Sequence, residues 1–219
     1  KGASVVVCSK SCKIRNSSIL IIKTNKIRHL LSYISSKFYK SKPKNIIAIT
    51  GTNGKTSVVW YISKILQTLK YNNTTVGTLG FYKNRKKIGD INLTTPAYEE
   101  LYKYGDSKNI KDNTYIFEAS SHALEQNRIR NYPINIAAIT NISNDHLDYH
   151  KSLSQYRKAK LNLFTKHLSK NGIAIINSKL KNSSQLGQQL LNNKKKVIYF
   201  GKKYIYFKKL LNNILLKIN

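Results

Sequence analysis

Residues 45–57 read N-I-I-A-I-T-G-T-N-G-K-T-S, and this stretch organises the rest of the chain. Its first six residues form an apolar, largely β-branched run that predicts a buried strand. Gly51 and Gly54 then allow a tight turn in which the backbone can come close to a ligand. Lys55 and Thr56 follow at a predicted helix start, where free N–H groups and the helix dipole favour an anion. A lysine there can neutralise phosphates and a threonine hydroxyl can bind Mg²⁺, so the stretch predicts a phosphate-binding loop.

The loop departs from the strict pattern G-x-x-x-x-G-K-[ST], which requires a glycine at position 49 where this chain has Ile49. It matches the shorter form G-x-x-G-K-T. The alternative to phosphate binding is an ordinary glycine turn that only connects a strand to a helix. A lysine and a threonine that are both in register favour phosphate binding.

Strand-like and helical segments alternate beyond the loop. Short buried strands are predicted at 74–80, 115–117, 136–140, 173–177 and 197–200, with a basic hairpin at 81–90. Helical spacing of apolar residues predicts helices at 58–69, 98–104, 152–168 and 183–192. This alternation predicts an α/β fold with a doubly wound, mostly parallel sheet, in which ligands bind at the carboxyl ends of the strands.

Residues 1–41 are predicted to be the remnant of a small α/β N-terminal domain. They hold two short β-rich runs and an amphipathic helix at 26–39, too little for an independent domain. A breaking stretch, S-K-P-K, leads into the opening strand, so residues 42–219 are predicted to be a central nucleotide-binding domain that is incomplete at its C-terminus. The chain begins without Met, and we expect it to be the interior of a longer protein.

Composition is dominated by a net charge of +30, from 39 basic and 9 acidic residues. Such a charge could indicate a nucleic-acid partner. Nearly all the basic residues are lysines spread along the chain, and arginine is scarce, which favours a solvated lysine surface. The sequence contains no run of about 18 apolar residues, which is the length that predicts a membrane-spanning helix. Cys8 and Cys12 lack companions for a metal site, so we expect free thiols in a reducing cytoplasm.

Two polar clusters follow predicted strand-like runs in the first half of the domain. Thr94 and Thr95 precede a proline at a helix start and would alone be only a helix cap. Glu118 comes directly after a strand, where a nucleotide site needs an acidic Mg²⁺ partner. Ten residues later Arg128 suits a carboxylate or a phosphate, while His122 between them is as easily a structural histidine.

A further cluster, T-N-I-S-N-D-H-L-D-Y-H at 140–150, also follows a strand. Its two His and two Asp could bind a metal or perform acid–base chemistry, and the spacing favours Mg²⁺ and substrate contacts over zinc. Downstream, the run Y-R-K-A-K-L-N-L-F at 156–164 carries several bases on a helix. Taken alone, each of those lysines would be a surface lysine.

Five motifs in this order, GTNGKTS, LTTPA, EASSHALEQNR, TNISNDHLDYH and YRKAKLNLF, resemble the Mur ligase family, over roughly residues 1–200. The second to fourth motifs are typical of the branch that adds the third peptide residue. The resemblance implies an ATP- and Mg²⁺-dependent ligase of peptidoglycan synthesis. It would join a diamino acid, meso-diaminopimelate or L-lysine, to UDP-MurNAc-L-Ala-D-Glu through an acyl phosphate. It also implies a cytoplasmic monomer without nucleic-acid or membrane partners.

The resemblance assigns roles residue by residue. Contacts with ATP are implied for Gly51, Thr52, Asn53, Gly54, Lys55, Thr56, Ser57 and Asn141. Contacts with the muramoyl dipeptide are implied for Thr94, Thr95, Ser120, Gln126 and Arg128. Mg²⁺ ligands are implied at Thr56, Glu118, His146 and Lys160, the last as an N-carboxylated lysine. Lys55, His146 and Lys160 are the implied catalytic residues.

The chain also departs from the family pattern of three domains. The uridine-nucleotide domain would survive only as its tail, and the C-terminal domain that selects the amino acid would be absent. We therefore expect a fragment, inactive alone, in preference to a decayed gene product. Two other functions remain open: a folylpolyglutamate-synthase-like ligase, and a basic nucleic-acid-binding protein with a phosphate loop.

Overall fold

A computed structural model describes residues 2–15, 18–84, 86–106, 113–143, 145 and 147–201. The strands are β1 (Val5–Cys8), β2 (Leu20–Lys23), β3 (Asn45–Thr50), β4 (Asn73–Gly77), β5 (Gly80–Lys83), β6 (Lys86–Gly89), β7 (Thr114–Glu118), β8 (Ile134–Ile139), β9 (Leu168–Asn177) and β10 (Lys196–Phe200). The helices are α1 (Ile27–Phe38), α2 (Lys55–Thr68), α3 (Tyr98–Tyr104), α4 (Ser121–Glu125), α5 (Leu147–His150), α6 (Leu153–Asn162) and α7 (Ser183–Asn192), with a π-helical turn at Leu163–His167.

Eight strands form one sheet in the order β10-β9-β8-β3-β7-β4-β5-β6. All neighbours are parallel except the two pairs that β5 makes with β4 and β6. The predicted phosphate-binding loop, residues 51–56, is called the glycine loop from here on. The strand that precedes it, β3, is central and lies between β7 and β8. The carboxyl ends of β3, β7 and β8 therefore meet at one edge, which is where the predicted polar clusters begin.

Helices cover both faces of this sheet. Ile47 and Ile49 of β3 pack with Val59 and Leu66 of α2 on one face. The alternate residues of the same strand pack into the larger core on the other face, which includes Leu101 of α3, Leu124 of α4 and Phe164. Because successive side chains of a strand point to opposite faces, a central strand covered on both sides is a continuous apolar run. The predicted doubly wound α/β fold is confirmed.

The N-terminal segment forms a separate two-stranded parallel sheet, β1 and β2, followed by α1. Helix α1 packs on α3 and is hydrogen-bonded to the loop before β8. The buried Ser32 hydroxyl donates to the backbone oxygen of Arg130 at 2.8 Å, and the Asn131 side chain donates to Ser32 at 3.4 Å. A domain boundary at residues 41 and 42 stays a prediction, but α1 itself is attached to the central domain.

Several predicted elements differ in extent. The predicted helix at 152–168 ends at Asn162 and continues as the π-helical turn, and β9 begins five residues earlier than expected, at Leu168. The short helix α4 was not predicted; its N-cap, Ser120, accepts a hydrogen bond from the backbone N–H of Ala123. Residues 202–219 lie outside the described part of the chain. Within the described part of the chain, every helix is too short or too polar to cross a bilayer.

Candidate active site

The glycine loop is held in a conformation that only glycine adopts readily. Gly51 has φ +146° and Gly54, which immediately precedes α2, has φ +81°. A Cβ atom at Gly51 would collide with the Thr140 hydroxyl, so the loop also needs glycine for space. Thr140 in turn donates to the backbone oxygen of Asn53 at 2.6 Å. The bend therefore depends on the adjoining strand β8 as well as on its own residues.

Asn141, predicted to lie near the nucleotide, is bonded to the loop itself. Its side-chain oxygen accepts from the Asn53 N–H at 3.0 Å, and its amide donates to the Asn53 backbone oxygen at 3.1 Å. This two-point contact fixes the loop against the carboxyl end of β8. Ser57, another predicted ATP contact, lies exposed in the first turn of α2.

Lys55 and Lys160 converge on the loop from opposite directions. The Lys55 ammonium donates to the backbone oxygens of Gly51 at 3.0 Å and Thr52 at 2.8 Å, and the Lys160 ammonium donates to the same Gly51 oxygen at 2.7 Å. Burial is the main cause that lowers the pKa of Lys55. Burial, then the charge of Lys55, lowers the pKa of Lys160 to about 7. Two cations at one oxygen make a site that attracts anions.

Lys160 is buried, with 1% of its surface exposed, in contrast to the surface lysine that the isolated sequence run suggested. Its ammonium lies over the ring of Tyr156, 4.4 Å from the centroid. The Tyr156 hydroxyl is 3.1 Å from the hydroxyl of Thr52, so α6 is tied directly to the glycine loop. Tyr156 was missed as a functional candidate, although its position one helical turn before Lys160 was a usable signal.

Glu118 fits the expected Mg²⁺ partner. It is 1% exposed, and its Oε2 accepts from the Thr56 hydroxyl at 3.0 Å. Its Oε1 accepts from the backbone N–H of Thr78 at 2.7 Å. A carboxylate and a hydroxyl beside a phosphate loop are the few protein ligands that Mg²⁺ needs when phosphates and water complete its shell. The described residues contain no cluster of three or more His, Cys, Asp or Glu, and His146 lies outside them.

The residues predicted to hold the acceptor are brought together next to Glu118. The Thr95 hydroxyl donates to the backbone oxygen of Glu118 at 2.7 Å and accepts from the Ser120 N–H at 2.9 Å. The Arg128 side chain donates to Gln126 Oε1 at 2.8 Å and to the Thr95 backbone oxygen at 3.3 Å. Thr94 lies at the rim, where its hydroxyl is 3.5 Å from that of Thr78. These five residues, Thr94, Thr95, Ser120, Gln126 and Arg128, form a polar wall on one side of the candidate Mg²⁺ site. We call it the acceptor wall.

His150, from the polar cluster at 140–150, proves to be buried. Its Nδ1 lies 3.0 Å from Glu125 Oε2, and its ring lies 5.2 Å from the ring of Tyr156. His122 contacts the ring of Tyr149 at 4.1 Å. These contacts fasten α5 to α4, so both histidines connect the acceptor wall to the segment after β8.

A cavity of about 630 Å³ opens beside Asn141 at the carboxyl ends of β8 and β9. Its walls include Arg157, Asn177 and Lys179. This volume lies within the usual range for small-molecule pockets, and its place at the end of parallel strands is typical of nucleotide sites in doubly wound folds.

The profile of the Mur ligase middle domain family matches residues 49–212. The chain belongs to the Mur ligase family. The resemblance of the five sequence motifs is thereby confirmed. A relative from Rickettsia montanensis, named UDP-N-acetylmuramoyl-L-alanyl-D-glutamate–2,6-diaminopimelate ligase, is 39% identical over 209 residues. That alignment covers 93% of this chain and 43% of the relative, so the chain spans less than half the length of the curated relatives that it matches.

Solved structures agree on the fold of this Mur ligase domain. A structure titled as a UDP-N-acetylmuramoyl-L-alanyl-D-glutamate–2,6-diaminopimelate ligase superposes with a TM-score of 0.70 at 25% identity, over 88% of this chain and 39% of the other. Escherichia coli FolC in complex with DHPP and ADP superposes with a TM-score of 0.60 at 15% identity, over 81% and 47%. The second likeness concerns the fold alone.

Proposed function

We propose that this chain is the ATP-binding part of a ligase that adds a diamino acid to UDP-MurNAc-L-Ala-D-Glu. The observation that carries the proposal is the position of Glu118, which accepts from Thr56 of the glycine loop through its carboxylate and from Thr95 of the acceptor wall through its backbone. A residue proposed to bind the nucleotide and a residue proposed to hold the acceptor therefore both contact Glu118. The names of the relatives supply the substrate class.

The arrangement suits phosphate transfer to a carboxylate. In the proposed reaction the acceptor carboxylate attacks the terminal phosphate of ATP, ADP leaves, and the amine of the diamino acid displaces phosphate from the resulting acyl phosphate. Negative charge moves between oxygens in both steps, and preorganised cations stabilise such charge without reorganisation. Lys55 is the residue for this task on the loop side, and Arg128 on the acceptor side.

Mg²⁺ would be held by Thr56 and Glu118 and would supply charge neutralisation at the phosphates. Lys160, as an N-carboxylated side chain, would also contribute to binding Mg²⁺. The proposal rests on its burial, its place beside the loop, and its lowered pKa, because a neutral amine is the form that adds CO₂. The modification would turn a buried cation into an anion and would relieve its repulsion with Lys55.

Two alternatives have distinct signatures. A folylpolyglutamate-type ligase shares the fold, but the relatives at 37–39% identity over about nine tenths of the chain carry the muramoyl-dipeptide name. A nucleic-acid-binding protein would need a concentrated basic face, whereas the lysines here are spread along the chain. The proposed ligase would act in the cytoplasm, where ATP is available and where the free Cys8 and Cys12 stay reduced.

The test has two arms. The chain itself is titrated with ADP and Mg²⁺, and binding that is lost in Lys55→Ala but kept in Lys64→Ala, an exposed lysine of the same helix, is the expected result. The full-length protein is then assayed for phosphate release with ATP, UDP-MurNAc-L-Ala-D-Glu and either diamino acid. No phosphate release with either would contradict the proposed function, and release with a folate acceptor instead would favour the alternative ligase.

A further inference from the structure

Tyr149, in the short helix α5, contacts the acceptor wall, although the sequence motifs give this residue no role. Its hydroxyl accepts a hydrogen bond from the side-chain nitrogen of Gln126 at 3.1 Å. Its ring lies on the imidazole of His122, with 4.1 Å between the ring centroids and 42° between the planes. Tyr149 is nevertheless 40% exposed, whereas the adjacent His150 is buried. The phenol is therefore fixed against the wall and still open to solvent.

Gln126 links Tyr149 to Arg128. The Gln126 side-chain oxygen accepts from the Arg128 guanidinium at 2.8 Å, while its nitrogen donates to Tyr149. An amide with a donor on one side and an acceptor on the other has one favourable orientation, so both neighbours hold it. Burial, then the charge of Arg28, lowers the pKa of Arg128, and the neighbouring Tyr149 acts in the opposite direction. We call the three linked residues, Tyr149, Gln126 and Arg128, the Tyr149 row.

The Tyr149 row has hydrogen-bond donors that the described protein groups do not use. A phenol has one O–H donor, and within the described part of the chain the Tyr149 hydroxyl makes one hydrogen bond, in which it accepts. A guanidinium has five N–H donors, and Arg128 uses two of its nitrogens, for Gln126 and for the backbone oxygen of Thr95. No described carboxylate forms a salt bridge with Arg128. Such donors beside a cation suit a carboxylate from outside the protein.

The D-Glu of the proposed acceptor has two carboxylates, and the contacts of the wall separate their places. The reacting carboxylate has to reach the terminal phosphate, near Thr56 and Glu118. The Tyr149 row is joined to Glu118 through Thr95, whose hydroxyl donates to the Glu118 backbone oxygen and whose own backbone oxygen accepts from Arg128. In D-Glu a CH group and two CH₂ groups separate the two carboxylates. The non-reacting carboxylate therefore suits the row when the other lies at the phosphate.

We propose that Tyr149 is a specificity residue of the acceptor site, and that its O–H donates to the non-reacting carboxylate of the acceptor's D-Glu, beside Arg128. The inference rests on the proposed function, which supplies the acceptor. The contacts with His122 and Gln126 fix the phenol before the substrate arrives, so little freedom is lost on binding. The charge of the carboxylate makes the hydrogen bond a strong one. An acceptor without this carboxylate would leave the donors unpaired, and polar sites reject analogues in this way.

The experiment titrates the full-length protein, with ADP and Mg²⁺ present, with two acceptors. One is UDP-MurNAc-L-Ala-D-Glu, and the other is an analogue in which γ-aminobutyrate replaces D-Glu, so that only the non-reacting carboxylate is missing. Tyr149→Phe keeps the ring on His122 and is expected to raise the Kd for the D-Glu acceptor by about 10-fold, the effect of one hydrogen bond to a charged group. The Kd for the analogue should be the same in both proteins. Tyr61→Phe, which removes an exposed hydroxyl of α2, is the matched control and should change neither Kd.

Three results would overturn the contact. An unchanged Kd for the D-Glu acceptor in Tyr149→Phe would show that the hydroxyl does not bind it. An equal rise for both acceptors would mean that the phenol only orients Gln126. A rise of the same size in Tyr61→Phe would mean that the loss is not specific to the row.

The proposed function is tested separately, by phosphate release from ATP. Release that persists while Tyr149→Phe has no effect on binding would leave the ligase standing and overturn the role of Tyr149. Binding that depends on Tyr149 without any phosphate release would support the contact and contradict the ligase. A D-Glu acceptor that does not bind to the unaltered protein would overturn both.

Discussion

Lys55 and Lys160 donate to the same oxygen, the backbone carbonyl of Gly51, at 3.0 and 2.7 Å. They are 105 positions apart and come from the helix after the loop and from α6. Opposed ammonium groups at one acceptor raise each other's electrostatic energy, which an anion or the loss of one charge relieves. This relationship makes the loop responsive to the state of Lys160, and several expectations follow from it and from its neighbours.

Lys160 should take up CO₂ at its side-chain nitrogen. In the presence of ¹³C-bicarbonate at pH 8, we expect a carbamate signal in the carbon NMR spectrum that is absent in Lys160→Arg. Lys158→Arg, two residues away on the exposed side of α6, is the matched control and should keep the signal. In the full-length protein, Lys160→Ala should strongly reduce ligase activity, and a small added carboxylate should partly restore it. Undiminished activity of this variant would contradict the proposed role of the carbamate.

Tyr156 should stabilise the loop through its hydroxyl. Tyr156→Phe removes the contact with Thr52 and keeps the ring under Lys160, so we expect the free energy of unfolding to fall by about 1 kcal/mol, as for one buried hydrogen bond. ADP affinity should fall as well, because the loop is less fixed. The measurement is a urea titration with and without ADP.

The control for that change is Tyr199→Phe, whose hydroxyl contacts Ser183 at 3.4 Å, away from the loop. It should leave ADP affinity unchanged. A double-mutant cycle with Thr52→Val then tests the pair, and strictly additive effects on stability would show that the two hydroxyls do not interact.

Thr95 should be more important for folding than its neighbour Thr94. Thr95→Val removes a buried hydroxyl that pairs with the Glu118 backbone oxygen and the Ser120 N–H, and leaves both groups without that partner. We expect a loss of about 2–4 kcal/mol in the free energy of unfolding. Thr94→Val should cost less than about 0.5 kcal/mol, because the one hydrogen bond that the Thr94 hydroxyl makes within the described part of the chain is a long one, 3.5 Å to Thr78 at the rim. Equal costs by chemical denaturation would contradict this view of the acceptor wall.

His167, at the end of the π-helical turn, should make stability depend on pH. Burial, then the charges of Lys166 and Arg130, lowers its pKa to about 4. The unfolded chain binds a proton below about pH 6.5 while the folded chain does not until about pH 4. The contribution to stability is therefore complete above pH 6.5 and is lost as the pH falls from 6.5 to 4, by up to roughly 3 kcal/mol.

The check is the free energy of unfolding measured between pH 7 and pH 4. His167→Leu should reduce the fall in the free energy of unfolding over this pH range, because leucine does not titrate. Nε2 of His167 has no hydrogen-bond partner in the described part of the chain, so the replacement breaks no hydrogen bond at that atom. A variant that keeps the full decline would assign the pH dependence to other groups.

Local sequence predicted the glycine loop and its surroundings well. The strand Asn45–Thr50, the helix Tyr98–Tyr104 and the helix Ser183–Asn192 have the predicted bounds, because periodicity, glycines and a proline are local signals. The same information predicted Glu118 as a partner of the loop, since a polar residue directly after a parallel strand must emerge at the ligand-binding edge. Helix α4 was missed because five residues are too few for a periodic pattern.

What the sequence by itself determined is the fold class and the residue types of the site, because strand and helix periodicity and motif spacing act over a few residues. What only the tertiary structure decided is which of the many lysines enters the site. Lys160 is distinguished from the others because the fold buries it against the backbone oxygen of Gly51. Burial and long-range proximity change a charge's energy by more than its sequence neighbours do, and neither is written in a local pattern.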